Sequence, residues 1–346
     1  MLEQNRKAIT TWYQQHHRKL PWRETKDAYR IWLSEIILQQ TRVQQGLPYY
    51  NKFIESYPNI HKLAQAQETE VLHLWQGLGY YSRARNMHFT AKYIVKNYDG
   101  IFPSDYKNIL SLKGIGEYTA AAIASFAFNL PFAAVDGNVM RVISRLYGIE
   151  EDINLGTTKK AVTTICNEMM NDRSPALFNQ SMMEFGAIQC KASSPDCSIC
   201  PLQETCFAYL NNKVNQLPLK INKTKVRNRY FNYLIIRSNS GIYIQQRKGK
   251  GIWQNLYEFP LLERKSPLSE VELLKELRQY SNSCIKLKYR SKEIKHKLSH
   301  QLLHIQFNVI ESNSIKPEKN WQLIPISQID NFPFPEIINK HKATFK

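Results

Sequence analysis

The chain has 346 residues, 43% of them hydrophobic, and a formal net charge of +18 with a pI near 9.5. That length exceeds a single ordinary core and implies two domains. No stretch is long and apolar enough to cross a bilayer, and the segment MLEQNRKAITTWYQQHHRKLPW lacks a signal-peptide core, so the expectation is a cytoplasmic protein, neither membrane-bound nor secreted. The charge is uneven. Residues 1–210 carry 22 Lys and Arg against 19 Asp and Glu, whereas residues 211–346 carry 25 against 10, a net of +15. A basic surface of that size favours a polyanion, most commonly nucleic acid, through counterion release.

From Ala28 to Leu210 apolar residues recur at helical spacing, cut into ordinary lengths by Pro48, Pro58, Pro103, Pro131 and Pro175. Residues 31–38 are apolar nearly all round, so their helix is buried, and Glu35 within it is pushed towards its neutral form. Further on, Leu112–Ala120 places Gly114 and Gly116 in a tight turn before the alanine-rich run Thr119–Ala127. Such a turn is an ordinary helix connection, or one where bare backbone N–H groups at a helix N-terminus meet a phosphate. Asp136 follows at the start of another helix, where it reads as an N-cap that the helix dipole pushes towards its anion. Two carboxyls driven apart in pKa supply an acid and an anion.

Cys190, Cys197, Cys200 and Cys206 then fall within 17 residues of a chain that has only six cysteines. Local disulfides suit small secreted domains, so this spacing reads as a metal loop. Four thiolates serve zinc or a four-iron cluster equally well. Cys166 and Cys284 stand alone, in stretches that read as core or strand. Residues 211–228, polar and basic with one proline, are the expected linker. Residues 229–346 change period: strands at Tyr230–Ile236 and Gly241–Ile244 joined by a turn at Ser238, Asn239 and Ser240, a helix at Ser269–Tyr280, and strands at Lys286–Tyr289 and Leu302–Ile310, an α+β domain.

A helix, a Gly-x-Gly turn and a second helix, an aspartate twenty residues on and a Cys-x6-Cys-x2-Cys-x5-Cys loop together resemble the base-excision DNA glycosylases related to endonuclease III. The resemblance runs from about residue 20 to residue 210. It implies an all-α helix-hairpin-helix domain over residues 1–210 and a 4Fe-4S cluster on the four cysteines. The segments Leu20–Arg23, Trp32–Thr41 and Gly77–Asn86 are similar to signatures of the adenine DNA glycosylases within that superfamily.

The resemblance implies double-stranded DNA as partner, with adenine opposite 8-oxoguanine or G as substrate, bound by a monomer. It implies Glu35 as proton donor to N7 of a flipped adenine and Asp136 as stabiliser of the sugar cation, with Tyr118 and Asn138 as supporting groups. Bifunctional relatives carry a Schiff-base lysine where Tyr118 stands, so strand cleavage is not expected. Arg23, Gln39, Gln40 and the wedge Tyr80 are implied for recognition, and Lys113, Gly114 and Gly116 for phosphate contact.

Residues 229–346 resemble the family's Nudix-like domain that senses 8-oxoguanine, through Gly251–Pro260 and His296–His300. Ser299 and His300 are implied as base-reading groups, with Leu298 in place of an aromatic. Asn255 replaces a usual glycine, which a left-handed backbone tolerates. Glu270, Glu272 and Glu276 lack the metal-binding arrangement of Nudix hydrolases, so pyrophosphatase activity is not expected. Tyr118 and the second domain disfavour an endonuclease III-like or thymine-mismatch glycosylase. A redox-sensing DNA-binding regulator would not need Glu35 in a wholly apolar helix.

Overall fold

The computed structural model describes residues 1–170, 174–221, 226–238, 240–281, 285–311 and 315–342. The expected turn residue Asn239 and the lone Cys284 lie outside the described residues. Two compact units emerge, one formed by Met1–Gln65 with Asn86–Asn222, the other by Ala66–Arg85 with Lys223–Lys346.

Helices run in chain order as α1 (Leu2–His16), α2 (Ala28–Leu38), α3 (Val43–Ser56), α4 (Ile60–Gln65), α5 (Glu68–Leu74), α6 (Ser82–Tyr98), α7 (Tyr106–Ser111), α8 (Glu117–Phe128), α9 (Gly137–Tyr147), α10 (Gly156–Met169), α11 (Pro175–Glu184) and α12 (Phe207–Leu210). Asp27 caps α2 by accepting from the backbone N–H groups of Tyr29 and Arg30. As its composition requires, α2 buries every residue from Ile31 to Ile37. It packs on α8, whose Ala120, Ala121, Ala122 and Ala124 are small enough to admit its broad side chains. A second core joins Ile9, Trp12 and Tyr13 of α1 to Val139, Ile143 and Leu146 of α9, and to Val162 and Phe178.

Between α7 and α8 the chain turns at Gly114, with φ +84°, where a Cβ would stand 2.8 Å from the Cβ of Asn86. A side chain there meets both a strained backbone and a neighbour. Gly116, at the N-cap of α8, faces open space, so its bare backbone is free to be approached. The first part of the expected linker packs on this unit: Leu217 is buried and its carbonyl accepts from Arg145 Nε at 2.9 Å.

The second unit holds a sheet of β1 (Arg227–Ser238), β2 (Gly241–Gln246), β3 (Tyr257–Glu258), β4 (Leu261–Arg264), β5 (Lys286–Arg290), β6 (Ile294–Lys297), β7 (Gln301–Glu311) and β8 (Trp321–Ile324). Its spine is β3-β2-β1-β7-β5, with β4 on β1, β6 on β7 and β8 on β2. The expected hairpin is β1–β2, closed by the Ser238–Gly241 pair. Strand β1 is central, antiparallel to β2 and β4 and parallel to β7. It is buried continuously from Phe231 to Ile236 because both of its faces are covered there. Phe231, Tyr233, Ile235, Ile305 and Phe307 pack under Ile338 of α14 (Glu336–Lys342), while Leu234, Ile236, Leu262 and Ile310 pack under Leu273 and Leu277 of α13 (Glu270–Leu277). The expected helix at Ser269–Tyr280 is thus α13, capped by Ser269 and continued by a tighter turn over Arg278–Tyr280.

One charge sits inside this core. Glu258 is 1% exposed. Arg247 Nη1 reaches both of its carboxylate oxygens at 2.9 and 2.8 Å, and Tyr233 Oη donates to Oε2 at 3.1 Å. Arg247→Met leaves that carboxylate without its cation and is expected to cost about 3–5 kcal/mol, whereas Arg247→Met combined with Glu258→Leu recovers most of the loss. Urea unfolding followed by tryptophan fluorescence measures both, and equal midpoints for wild type and Arg247→Met would remove the pair from the stability of this unit.

Candidate active site and metal centre

Glu35 on α2, Tyr118 on α8, Asp136 and Asn138 at the start of α9, and Arg23 from the turn Pro21–Arg23 line one cavity of about 170 Å³ in the first unit. That is several times the roughly 30 Å³ that a water occupies in the liquid. Tyr118 Oη donates to Glu35 Oε2 at 2.7 Å. Glu35 is 5% exposed, and burial pushes its pKa up to about 7 against the opposing hydrogen bond from Tyr118. Burial likewise holds the Tyr118 phenol well above its ordinary value.

Asp136 is the N-cap of α9. Its Oδ1 accepts from the N–H groups of Asn138 and Val139 at 2.9 and 2.8 Å, and its Oδ2 from Asn138 Nδ2 at 2.7 Å. The helix-dipole expectation of a net push towards the anion is corrected here. Burial raises the Asp136 pKa, and the bonds from Val139 and Asn138 with the charge of Arg141 offset only part of the rise. The two carboxyls are still unlike, since one hydrogen-bond donor and the charge of Arg23 oppose burial at Glu35 whereas three donors and the charge of Arg141 oppose it at Asp136. Of the two, Asp136 is the better held as an anion.

Sequence reasoning missed a third carboxyl in the cavity. Glu184 ends α11 with its side chain fully buried. Its Oε1 accepts from the Arg18 backbone N–H and Nε at 2.9 and 2.8 Å, and its Oε2 from Arg18 Nη2 and Arg23 Nη2 at 2.6 and 2.7 Å. Burial pushes it up, but these bonds prevail and hold it down at about 2. Arg23 is therefore paired with Glu184 on the cavity wall. The signal was the one that marked Glu35, a glutamate continuing an apolar helical run, here Ser181-Met182-Met183.

Gln39 and Gln40 follow the end of α2. Gln39 Nε2 donates to Thr119 Oγ1 at 3.2 Å, while Gln40 is exposed at φ 55°. Lys113 is exposed in the hairpin turn with its ammonium 4.3 Å from the centre of the Phe89 ring.

The second unit brings Tyr80 and Ser299 together, their hydroxyls 2.6 Å apart. Tyr80 is 52% exposed on a turn that is left-handed at Gly77, Gly79 and Tyr80 itself. Trp75 Nε1 and Arg83 Nη2 donate to the Gly79 carbonyl and brace that turn. Leu298 is partly buried against the sheet core, and His300 is exposed. Asn255 stands at φ 65°, the left-handed backbone that its replacement of glycine requires.

The four-cysteine loop leaves all its thiols free of disulfides. Burial and the neighbouring thiols push Cys197 upward, so the set becomes thiolate only with cations to compensate it. Arg145 Nη1 lies 3.4 Å from Cys190 Sγ, a contact suited to an anionic sulfur. Among the described residues no three His, Cys, Asp or Glu side chains converge on one point. A four-metal cluster with one thiolate on each iron does not require that they should. The donor set fits such a cluster. Arg141, also missed by the sequence reading, joins the loop to the cavity: its Nε donates to the Cys190 carbonyl at 2.9 Å and its Nη2 to Asn138 Oδ1 at 2.8 Å.

Residues 33–171 match the family model for HhH-GPD superfamily base excision DNA repair proteins, residues 190–206 the iron-sulfur binding domain of endonuclease III, and residues 232–343 the NUDIX domain. The adenine DNA glycosylase of Buchnera aphidicola subsp. Baizongia pistaciae is 39% identical over 345 residues, covering 97% of this chain and 96% of that protein. The Arabidopsis thaliana adenine DNA glycosylase is 35% identical over 74% of this chain and 47% of its own length. Among solved structures, a thermostable thymine-DNA glycosylase aligns with TM-score 0.55 and 29% identity over 60% of this chain and 95% of its own. An endonuclease III–DNA covalent intermediate aligns with TM-score 0.53 and 22% identity over 60% of this chain and 94% of its own, a likeness of fold. The loop of Cys190, Cys197, Cys200 and Cys206 is the 4Fe-4S site of this lineage, and from end to end the chain belongs to the adenine DNA glycosylase family.

Proposed function

We propose that this DNA N-glycosylase hydrolyses the bond between deoxyribose and adenine mispaired with 8-oxoguanine or G in duplex DNA, as an intracellular, nucleoid-associated monomer that leaves the strand uncut. The observation that carries the reading is the Glu35 carboxyl, buried, raised to about 7, and sharing one cavity with the hydrogen-bonded Asp136. A base inside a duplex is out of reach, so the adenine must first leave the stack and enter the cavity. Glu35 gives its proton to N7, and the C1′–N9 bond then breaks with its electron pair going to the base. Asp136, fixed by Asn138 and two backbone N–H groups, faces the positive charge left on the sugar. Water adds at C1′ and its surplus proton passes to a carboxylate. Tyr118 has no amine to form a Schiff base, and its phenol stays neutral. The 4Fe-4S cluster, when bound, ties Cys190 to Cys206 into one rigid loop, and its ligands are not groups that act on the base.

Opposite-base reading is assigned to Tyr80, Ser299 and His300, with Gln39 and Gln40 at the gap left by the adenine and Lys113, Gly114 and Gly116 on the backbone phosphates. The Tyr80–Ser299 contact supports this by presenting a hydroxyl pair beside an exposed ring.

Glu35→Gln and Asp136→Asn are each expected to lower single-turnover adenine release by orders of magnitude while mismatch binding persists. Because the acid must be protonated, the wild-type rate falls about tenfold per pH unit above about 7. Tyr118→Phe removes a bond that favours the Glu35 anion, so the alkaline limb moves to higher pH; a profile that stays put would dissociate the limb from Glu35.

Borohydride should trap little covalent adduct, and abasic product should nick only after alkali. Rapid nicking without alkali would overturn the monofunctional reading. Ser299→Ala with His300→Ala should reduce the preference for adenine opposite 8-oxoguanine over adenine opposite G by about five- to a hundredfold, the weight of one base-reading hydrogen-bond set at roughly 1–3 kcal/mol. An unchanged ratio would move base sensing elsewhere.

A further inference from the structure

In the second unit, helix α13 covers only half of the sheet face that it packs on. It lies over Leu234, Ile236, Leu262 and Ile310. Residues directly opposite in register share a face. On this same face the pairs Lys295 with His304, His304 with Tyr230, Lys297 with Leu302, and Leu302 with Asn228 continue the sheet beyond the helix. There the Tyr230 and His304 rings stack with centroids 4.4 Å apart and planes 17° apart.

Two carboxylates beside this half-face have basic side chains of their own close by. Glu293 reaches His304 Nδ1 at 3.0 Å and Glu276 reaches Arg264 Nη2 at 2.7 Å. Lys295 and Lys297 are exposed and, among the described residues, make no ion pair. They stand one two-residue step apart, about 6.6–6.8 Å along the strand, beside the stacked Tyr230–His304 pair. Two residues beyond Lys297 comes Ser299.

We propose that the exposed lysines at the rim of this half-face hold the phosphate backbone of the DNA alongside the base that Ser299 reads, with Lys295 and Lys297 as the phosphate partners. The proposal rests on the DNA-glycosylase reading and adds to it a surface outside the cavity and the hairpin. Lysines on an outer strand also guard against edge-to-edge pairing, so the test must separate the two roles.

The full chain with its cluster and the variant Lys295→Gln/Lys297→Gln are titrated against two duplexes, one fully paired and one with adenine opposite 8-oxoguanine, from 50 to 200 mM salt. Each lost phosphate contact lowers the slope of log affinity against log salt by about 0.9, so the variant slope should be shallower by about 1.8 on both duplexes. Over that fourfold range the wild type then loses about tenfold more affinity than the variant. Adenine release at saturating protein should be equal for the two. A variant slope equal to wild type overturns the proposal, and the same slope with self-association in gel filtration assigns the lysines to guarding the strand edge. Absence of adenine release from the wild type would refute the glycosylase reading but leave the slopes on the fully paired duplex interpretable.

Discussion

Helix α9 carries the two chemical centres of the first unit on one stripe of its surface. Asp136 caps its first turn and accepts from Asn138 Nδ2, and Asn138, Arg141 and Arg145 then stand three and four residues apart, a spacing that stacks side chains along one helix face. The stripe begins at a carboxylate in the cavity and ends against Cys190, through the Arg141 contact with its carbonyl and the Arg145 contact with its sulfur. The other side of the helix presents Val139, Val142, Ile143 and Leu146 to the core. Packing therefore fixes the rotation of α9, and that rotation places the carboxylate and the cysteine loop together. Neither centre can shift along or around the helix axis without disturbing the other.

The cavity sorts three carboxyls by their partners more than by their depth. Glu35 and Glu184 are both buried, yet one is pushed up to about 7 and the other held at about 2, because the first accepts a hydrogen bond from one phenol and the second from two guanidiniums. Burial alone raises a carboxyl; what distinguishes an acid from a structural anion is the number of donors that reach it. Asp136 stands between them, raised by burial yet held by three donors. Arg18, Arg23 and Glu184 thus form a wall that keeps Glu184 ionised between two cations, which leaves the proton on Glu35 as the mobile one.

Much of this was legible in the sequence. An apolar helix with one glutamate marked Glu35, two glycines before an alanine run marked the hairpin, and the cysteine spacing marked the metal loop. Alternating strands and a capped helix marked the second unit. What stayed illegible depends on pairs remote in sequence. Nothing local in Arg18 or Glu184 reveals that they meet across 166 positions, and Arg141 reads as an ordinary helical arginine until the loop closes on it. The direction of the Asp136 shift was misjudged for a related reason. A helix cap is visible in the sequence, whereas the depth at which that cap is buried is a property of the packed whole. Likewise Leu298 announces the loss of an aromatic, but only the fold shows it partly buried against the sheet core.

Gly186 has no functional group, yet it sits at a point where the chemistry has no slack. It lies in the wide helical turn Phe185–Gln189, and a Cβ there would stand 2.7 Å from the Asn138 Cβ and 2.8 Å from the Asn138 carbonyl. Its own carbonyl accepts from Arg141 Nη2 at 2.6 Å. Even alanine would push on the backbone that presents Asp136 and on the guanidinium that leads to the cysteine loop. In a lineage under mutation, this codon is expected to behave as an active-site codon although the residue it encodes carries no reacting group. A missense change there deserves to be scored with changes to Asp136, well apart from the conservative small-residue exchanges that helices ordinarily absorb.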